Sequence, residues 1–294
     1  MSASPVRLII EVCHGPSRGL KAAVEPGGAI RVGREAPSHL VVSKDRQLSA
    51  VHFEIAWDGT QAVVRATGVL GITLVEGLPT DEAKLTHGSW IRAGRTDFRT
   101  YIEGNLAWSH HRALVDPSPL PAWWEERASR TEEAQRELQP ALQRRELFAV
   151  VDSARDDRIM ARVRASVDLY QSLYEGPQAE TLAHVAPFLV RLDPSSLLGK
   201  HLLEEGRGRR WGIFLHSRLP FRETRRHLRR FLYIAAEGRP QPLYFRFYDP
   251  TSLYTVCRAS RRIEQTLVGP FEALWFEDPE SGRLRSARRS SPVG

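Results

Sequence analysis

Between Arg7 and Gly104 the chain is written in short apolar runs separated by Gly, Pro or Asp. RLIIEV, AIRVGR, HFEIAW, QAVVRAT, ITLVEG, SWIRAG and FRTYIE each have about the length of one strand. In HFEIAW, Phe53 and Ile55 alternate with polar or small neighbours, the pattern of a half-buried strand. Asp58-Gly59, between HFEIAW and QAVVRAT, predicts a two-residue hairpin turn with both residues at positive φ. Many short strands at regular spacing predict an antiparallel β-sandwich over residues 1–105.

The pattern changes at residue 106. Pro117, Pro119 and Pro121 cannot donate to a sheet ladder and predict an extended spacer. WWEERASRTEEAQREL, rich in Glu and Arg and lacking an apolar stripe, predicts an exposed helix that ends near Pro140, with Trp123 and Trp124 able to dock it. Residues 106–145 thus read as a linker. From 146 to 280 strands and helices interleave. LFAVVD (147–152), APFLVRLD and WGIFL read as strands, and Ile159, Val163, Val167 and Tyr170 mark a helix. A second helical stripe runs Phe221, Leu228, Phe231, Leu232 and Ala235. LYFRFYDP alternates, so Tyr244, Arg246 and Tyr248 are expected on one face of a strand and Phe245 and Phe247 in the core. The fold class is therefore multi-domain: a β-sandwich followed by an α/β domain with a central sheet. Residues 281–294 read as a basic tail without order.

Charge sharpens this division. The chain has 294 residues and a net charge of +7, but residues 1–105 hold 12 Lys/Arg against 11 Asp/Glu, and the rest 30 against 24. Much of the excess lies in RETRRHLRR (222–230) and RLRSARR (283–289). These runs read either as solvated faces or as a surface for an acidic protein, nucleic acid or anionic lipid. The two cysteines, Cys13 and Cys257, are far apart and lack metal-ligand spacing, so a disulfide framework and a zinc site are not expected. No apolar run reaches the length of a membrane helix. A reducing cytoplasm is the expected compartment.

Three groups of residues in the first domain then take on meaning together: Val32-Gly33-Arg34 at a strand end, Asp45-Arg46-Gln47-Leu48-Ser49-Ala50-Val51-His52 in a loop, and Leu85, Gly88, Ile91, Gly94 and Phe98 in a closing hairpin. Their order and spacing resemble a forkhead-associated (FHA) domain. The resemblance implies that Arg34 and Ser49 contact a phosphate, with Arg46 auxiliary and Thr73 supplying a further hydroxyl, while Gly33 and His52 hold the loop. A guanidinium can meet a phosphate through paired, charge-assisted hydrogen bonds. Thr67-Gly68-Val69-Leu70-Gly71-Ile72-Thr73 contains no Asn, where the family has one that grips the peptide backbone. Phosphothreonine-dependent binding and phosphate-independent docking both stay open.

The second domain carries LFAVVD (147–152), SLYEG (172–176), APFLV (186–190), WGIFL (211–215), FRFYDP (245–250) and Gly269-Pro270-Phe271. These blocks resemble domain of unknown function 4123, found in effector adaptor (Tap-like) chaperones of bacterial type VI secretion. The resemblance implies a protein that binds a secreted effector and helps load it onto the spike (VgrG) protein. Tyr244, Arg246, Tyr248, Asp249, Arg226 and Arg230 are the candidate partner contacts, since aromatic and Arg side chains anchor interfaces. For Arg246 and Asp249 a fold-holding ion pair or turn cap is an equal alternative.

Catalytic motifs are missing: there is no GxxxxGK[ST], GxSxG, HExxH or GxGxxG. Asp152 and Asp249 both follow predicted strands, where ligand sites of α/β sheets form, but no His stands at ligand spacing from them. His110-His111 falls in the linker. The sequence therefore predicts a binding protein with no catalytic residue, no cofactor and no metal. Nucleic acid and membrane are not expected as partners. A phosphopeptide-binding scaffold unrelated to secretion is the alternative, and a hydrolase using Asp152 or Asp249 is a third reading.

Overall fold

A computed structural model describes residues 6–105, 122–176, 181–234 and 241–289. The expected proline spacer, His110-His111, Ala235 and the last residues of the basic tail lie outside them. The chain divides into two units, Met1–Ser109 with Arg164–Leu169, and His110–Val163 with Tyr170–Gly294.

The first unit is the antiparallel sandwich. Its strands are β1 (Leu8–His14), β2 (Lys21–Val24), β3 (Gly28–Gly33), β4 (Leu40–Val41), β5 (Phe53–Trp57), β6 (Ala62–Ala66), β7 (Thr73–Val75), β8 (Leu78–Pro79), β9 (Glu82–Leu85), β10 (Trp90–Ala93) and β11 (Thr96–Ile102). One sheet runs β2-β1-β11-β10-β7-β8 and the other β4-β3-β5-β6-β9. Period-two alternation explains the core: Phe53, Ile55 and Trp57 of β5 bury against Leu8, Ile10, Val12, Ile91 and Phe98 of the opposite sheet, and their neighbours Glu54 and Ala56 turn outward. The β5–β6 connection differs from the expected two-residue turn. Trp57 pairs with Ala62 across four residues, and only Gly59 reaches positive φ. Asp58 makes the longer loop possible: its Oδ1 accepts from the backbone N–H groups of Thr60 (2.7 Å) and Gln61 (2.6 Å).

In the second unit the helices are α1 (Arg127–Gln143), α2 (Asp157–Arg164), α3 (Leu198–Gly206), α4 (Phe221–Arg229), α5 (Pro250–Ala259) and α6 (Arg261–Val268). The strands are β12 (Leu147–Asp152), β13 (Leu169–Ser172), β14 (Pro187–Arg191), β15 (Gly212–His216), β16 (Tyr233–Ile234), β17 (Leu243–Tyr244), β18 (Ala273–Glu277) and β19 (Leu284–Arg288). A six-stranded sheet runs β13-β14-β12-β15-β18-β19, and β16 pairs with β17 in a separate hairpin. Every residue of β12 is buried because the sheet is covered on both faces. Leu147, Ala149 and Val151 face one core with α1, α2 and α3; Phe148 and Val150 face the other with α4, α5 and α6. An apolar run without alternation is the signature of such a doubly covered strand.

Three expectations change here. The helix after the linker is not a solvated rod: Thr131, Ala134, Leu138 and Ala141 form a buried stripe at helical spacing, and α1 continues through Pro140. The stripe escapes a hydrophobicity reading because two of its four members are alanine and one is threonine. Trp123, ahead of α1, is buried and donates through Nε1 to the Pro279 carbonyl at 3.3 Å. The basic tail contains β19, which pairs with β18 from Ala273↔Arg288 to Glu277↔Leu284, so only Leu284 and Ala287 need turn inward. The FRFYDP block is not a long strand. β17 stops at Tyr244, after which Phe245, Phe247 and Tyr248 all bury in one core and Pro250 opens α5. The packing of α1 makes a direct prediction. Leu138→Ala lowers the stability of the full chain by about 2–5 kcal/mol in denaturant unfolding, whereas a solvated helix would leave it unchanged.

Candidate functional site

Two clusters hold the residues singled out in the sequence, one in each unit. In the first unit the β4–β5 loop and the β6–β7 loop are stitched together by Ser49 and His52. Ser49 Oγ accepts from the Leu70 N–H at 2.9 Å, and the Ser49 N–H donates to His52 Nδ1 at 3.2 Å. The His52 carbonyl accepts from the N–H groups of Thr67 (3.0 Å) and Gly68 (2.9 Å). Asp45, which the sequence reading left without a role, anchors the other end: its carboxylate accepts from Gln47 N–H, Arg95 N–H and Thr96 Oγ1 at 2.7–3.0 Å. Two glycines permit this packing. A Cβ on Gly33 would stand 2.1 Å from the Ala50 carbonyl oxygen, and one on Gly68 would stand 2.7 Å from Ser49 Oγ.

The expected phosphate contacts separate on this frame. Arg34 sits at the exit of β3, its N–H bonded to the Ser49 carbonyl at 2.9 Å, and among the described residues its guanidinium reaches only the exposed carboxylate of Glu35, at 3.0 Å. Arg46 is exposed on the same loop as Ser49. Ser49 itself is buried, with its hydroxyl engaged by Leu70. Thr73 is 2% exposed, which corrects its expected role: it opens β7 on the inward face with Val75, so its hydroxyl is not available to a peptide at the surface. Gly33 and His52 lie in the packing and hydrogen bonds of this loop. One feature was not anticipated: Val69 is 94% and Ile72 63% exposed, with Leu70 between them. The visible signal was an apolar run, VLGI, lying between Gly68 and the strand that opens at Thr73. A loop carrying such side chains beside two arginines is suited to gripping both an anion and an aliphatic partner group.

In the second unit Asp152 and Asp249 come together among guanidiniums. Arg246 bonds the Asp152 carboxylate, and Arg155 Nε lies 3.5 Å from it. Arg155 also bonds Asp249, and Arg210 donates to Asp249 at 2.7 and 3.2 Å. The other oxygen of Asp249 caps α5, accepting from the N–H groups of Thr251 (2.9 Å) and Ser252 (3.1 Å). Burial pushes the Asp152 carboxyl above the usual carboxylate range, against the pull of Arg246. For Asp249 burial is again the largest influence, yet Arg210, the Ser252 N–H and Arg155 together outweigh it and hold the group below that range.

The candidate partner contacts divide accordingly. Asp249 and Tyr248 are each 1% exposed, so they are fold residues and not surface contacts. The reason is the turn that begins after β17, which folds the block inward. Arg246 keeps an exposed portion beside the Tyr248 ring. Tyr244 is exposed on the β16–β17 hairpin, its hydroxyl held between those of Tyr174 (2.7 Å) and Tyr248 (2.8 Å). Along α4, Arg226 and Arg230 face solvent, but Arg225 and Arg229 turn onto the segment after β13, bonding Glu175 at 2.7 and 2.6 Å and the carbonyls of Ser172, Leu173 and Tyr174. Sequence reasoning missed Tyr233 and Leu243, which are exposed on the same hairpin as Tyr244; Tyr233 meets Tyr244 edge to face at 5.4 Å. Burial pushes the thiols of Cys13 and Cys257 up to about 11 and about 12, so neither is a thiolate nucleophile at neutral pH.

The loop chemistry of the first unit predicts a titration. Burial holds the His52 imidazole below its ordinary value, and its neutral form accepts the Ser49 N–H. The stabilisation from neutral His52 is present above the ordinary value near pH 6.5 and is lost as pH falls through the lower folded-state value. NMR titration of the full chain gives a His52 midpoint below that of a free histidine; a midpoint at or above it contradicts the assignment.

The two units are similar to different known proteins. The first resembles solved FHA domains: one studied for phosphothreonine-dependent interactions (24% identity, 34% of this chain and 99% of that one, TM-score 0.30), one from Chlamydia trachomatis (19%, 32% and 96%, TM-score 0.31), and one of a hypothetical protein of Arabidopsis thaliana (24%, 36% and 96%, TM-score 0.33). No curated protein matches the chain. Residues 147–267, from the start of β12 into α6, match the family described as Domain of unknown function (DUF4123).

Proposed function

We propose that the chain is a non-enzymatic adaptor. Its second unit holds a protein cargo, a secreted effector of a type VI secretion system, and helps load it onto the spike (VgrG) protein. Its first unit docks a further partner, in one form a phosphothreonine-containing protein. The adaptor works in the cytoplasm and needs no cofactor.

The observation that carries this reading is the β16–β17 hairpin within the DUF4123-matching segment. It presents Tyr233, Leu243 and Tyr244 at the surface, and Tyr244 is braced from behind by two tyrosine hydroxyls. Pre-braced aromatic side chains lose little conformational freedom on binding and serve as interface anchors. The two acids that would have supported a catalytic reading are each engaged by guanidiniums. A scaffold that reads phosphopeptides without any secretion role is favoured by a separate observation, the accessible Arg34 whose guanidinium is paired with the exposed Glu35.

Affinity purification of the full chain from its native cell separates the two readings. The adaptor reading predicts that an effector and a spike protein co-purify, that Tyr233→Ser with Leu243→Ser reduces their recovery about tenfold, and that Arg34→Ala leaves it unchanged. Recovery that depends on Arg34 and is erased by phosphatase, with the hairpin variant unaffected, contradicts the adaptor reading and supports the scaffold.

A further inference from the structure

The basic run 283–289 takes part in neither surface described above. It forms β19, the outer strand of the second unit's sheet: β18 pairs with one edge and no described strand pairs with the other. An outer strand carries a row of backbone N–H and C=O groups directed away from the sheet, a template for one more strand. Beside β19 lies a groove of about 280 Å³ lined by Tyr254 and Arg258 of α5, Arg261 and Glu264 of α6, and Arg285 of β19.

The groove's lining carries three arginines against one glutamate, Glu264. Arg258 and Arg285 pack over the buried Tyr254 ring, their guanidinium carbons 5.4 and 5.3 Å from its centroid, and Arg258 donates to the Tyr254 hydroxyl at 2.8 Å. Their ion pairs are long: Glu280 is 3.8 Å from the mostly exposed Arg258, and Asp278 is 3.6 Å from Arg285, which is half exposed. Arg261 is exposed and makes no hydrogen bond or ion pair with any described residue. Contacts that loose and exposed contribute little, so an incoming carboxylate displaces them readily.

We propose that β19 and this groove dock an extended acidic segment of a partner protein, which adds a strand to the sheet and sets its carboxylates against Arg258, Arg261 and Arg285. Strand geometry places every second side chain on one face, so alternating acidic residues all meet the groove while the backbone pairs with β19. Nucleic acid fits less well. Tyr254 is already covered by two guanidiniums and offers no open ring for a base, and the strand edge has nothing to pair with in a nucleotide chain. The surface uses none of the hairpin or loop residues of the adaptor reading and stands without it.

The probe is a fluorescent peptide of alternating Glu and Val, titrated into the full chain. The peptide binds, and Arg261→Glu with Arg285→Glu weakens it about tenfold at an unchanged unfolding temperature. A peptide of alternating Glu and Pro, with the same charge but half the backbone donors, also binds more weakly. Should the double variant misfold, Arg261→Ala, which removes a side chain without an ion-pair partner among the described residues, gives the same direction of change. No binding of the Glu-Val peptide, equal binding by well-folded variants, equal binding of the Glu-Pro peptide, or tighter binding of a thymidine oligonucleotide each overturns the proposal.

Discussion

The carboxylates of Asp152 and Asp249 stand where strand, helix and loop meet, and the guanidiniums of Arg155, Arg210 and Arg246 surround them. Burying a charge is costly unless it is paired and its remaining hydrogen-bonding positions are filled. Each acid meets that condition with two guanidiniums, and Asp249 adds the two N–H groups of the α5 cap. The cluster ties the end of β12 to the start of α2 through Arg155, to the turn before β15 through Arg210, and to the entry of α5. The hairpin that precedes it is fixed by the same contacts, because Arg246 lies between Asp152 and the Tyr248 that supports Tyr244. An ionic cluster is thus the reason an aromatic surface can be held out to solvent in a defined place.

The sandwich builds its support from hydrogen bonds to the backbone. Asp45, Ser49 and His52 fasten two loops to the sheet ends by hydrogen bonds to backbone, which leaves Arg34, Arg46, Val69 and Ile72 on the outside of a rigid frame. Rigid support behind exposed side chains is what a recognition surface requires. In both units the residues that build the site are buried, and the residues free to act are their neighbours.

That distinction marks how far the sequence could be read. β12 was legible as LFAVVD because a run of buried apolar residues has no other use, and the forkhead-associated pattern was legible because Gly33, Ser49 and His52 are fixed by close packing. What was not legible depended on tertiary partners. The stripe on α1 is built from Ala134, Ala141 and Thr131 with one leucine, and only a facing core shows that they are covered. The alternation in LYFRFYDP suggests a strand, but Phe245, Phe247 and Tyr248 all find room on one side once Pro250 starts a helix. RLRSARR looks solvated because an edge strand needs only one or two inward side chains and keeps its charges at the rim. Asp152 and Asp249 looked available for chemistry because a sequence shows acids at strand ends without showing the arginines that close on them from elsewhere in the chain.

The central claim, that these acids hold the fold on which binding depends, is tested most directly by a double-mutant cycle on Asp152→Asn and Arg246→Gln. The stability of the second unit is read from hydrogen exchange of the β12 and β15 amides in the full chain. The account predicts that each single substitution is destabilising and that the two are coupled by about 0.5–3 kcal/mol. Additive, near-neutral effects would contradict it and would return Asp152 to the list of groups free to do chemistry.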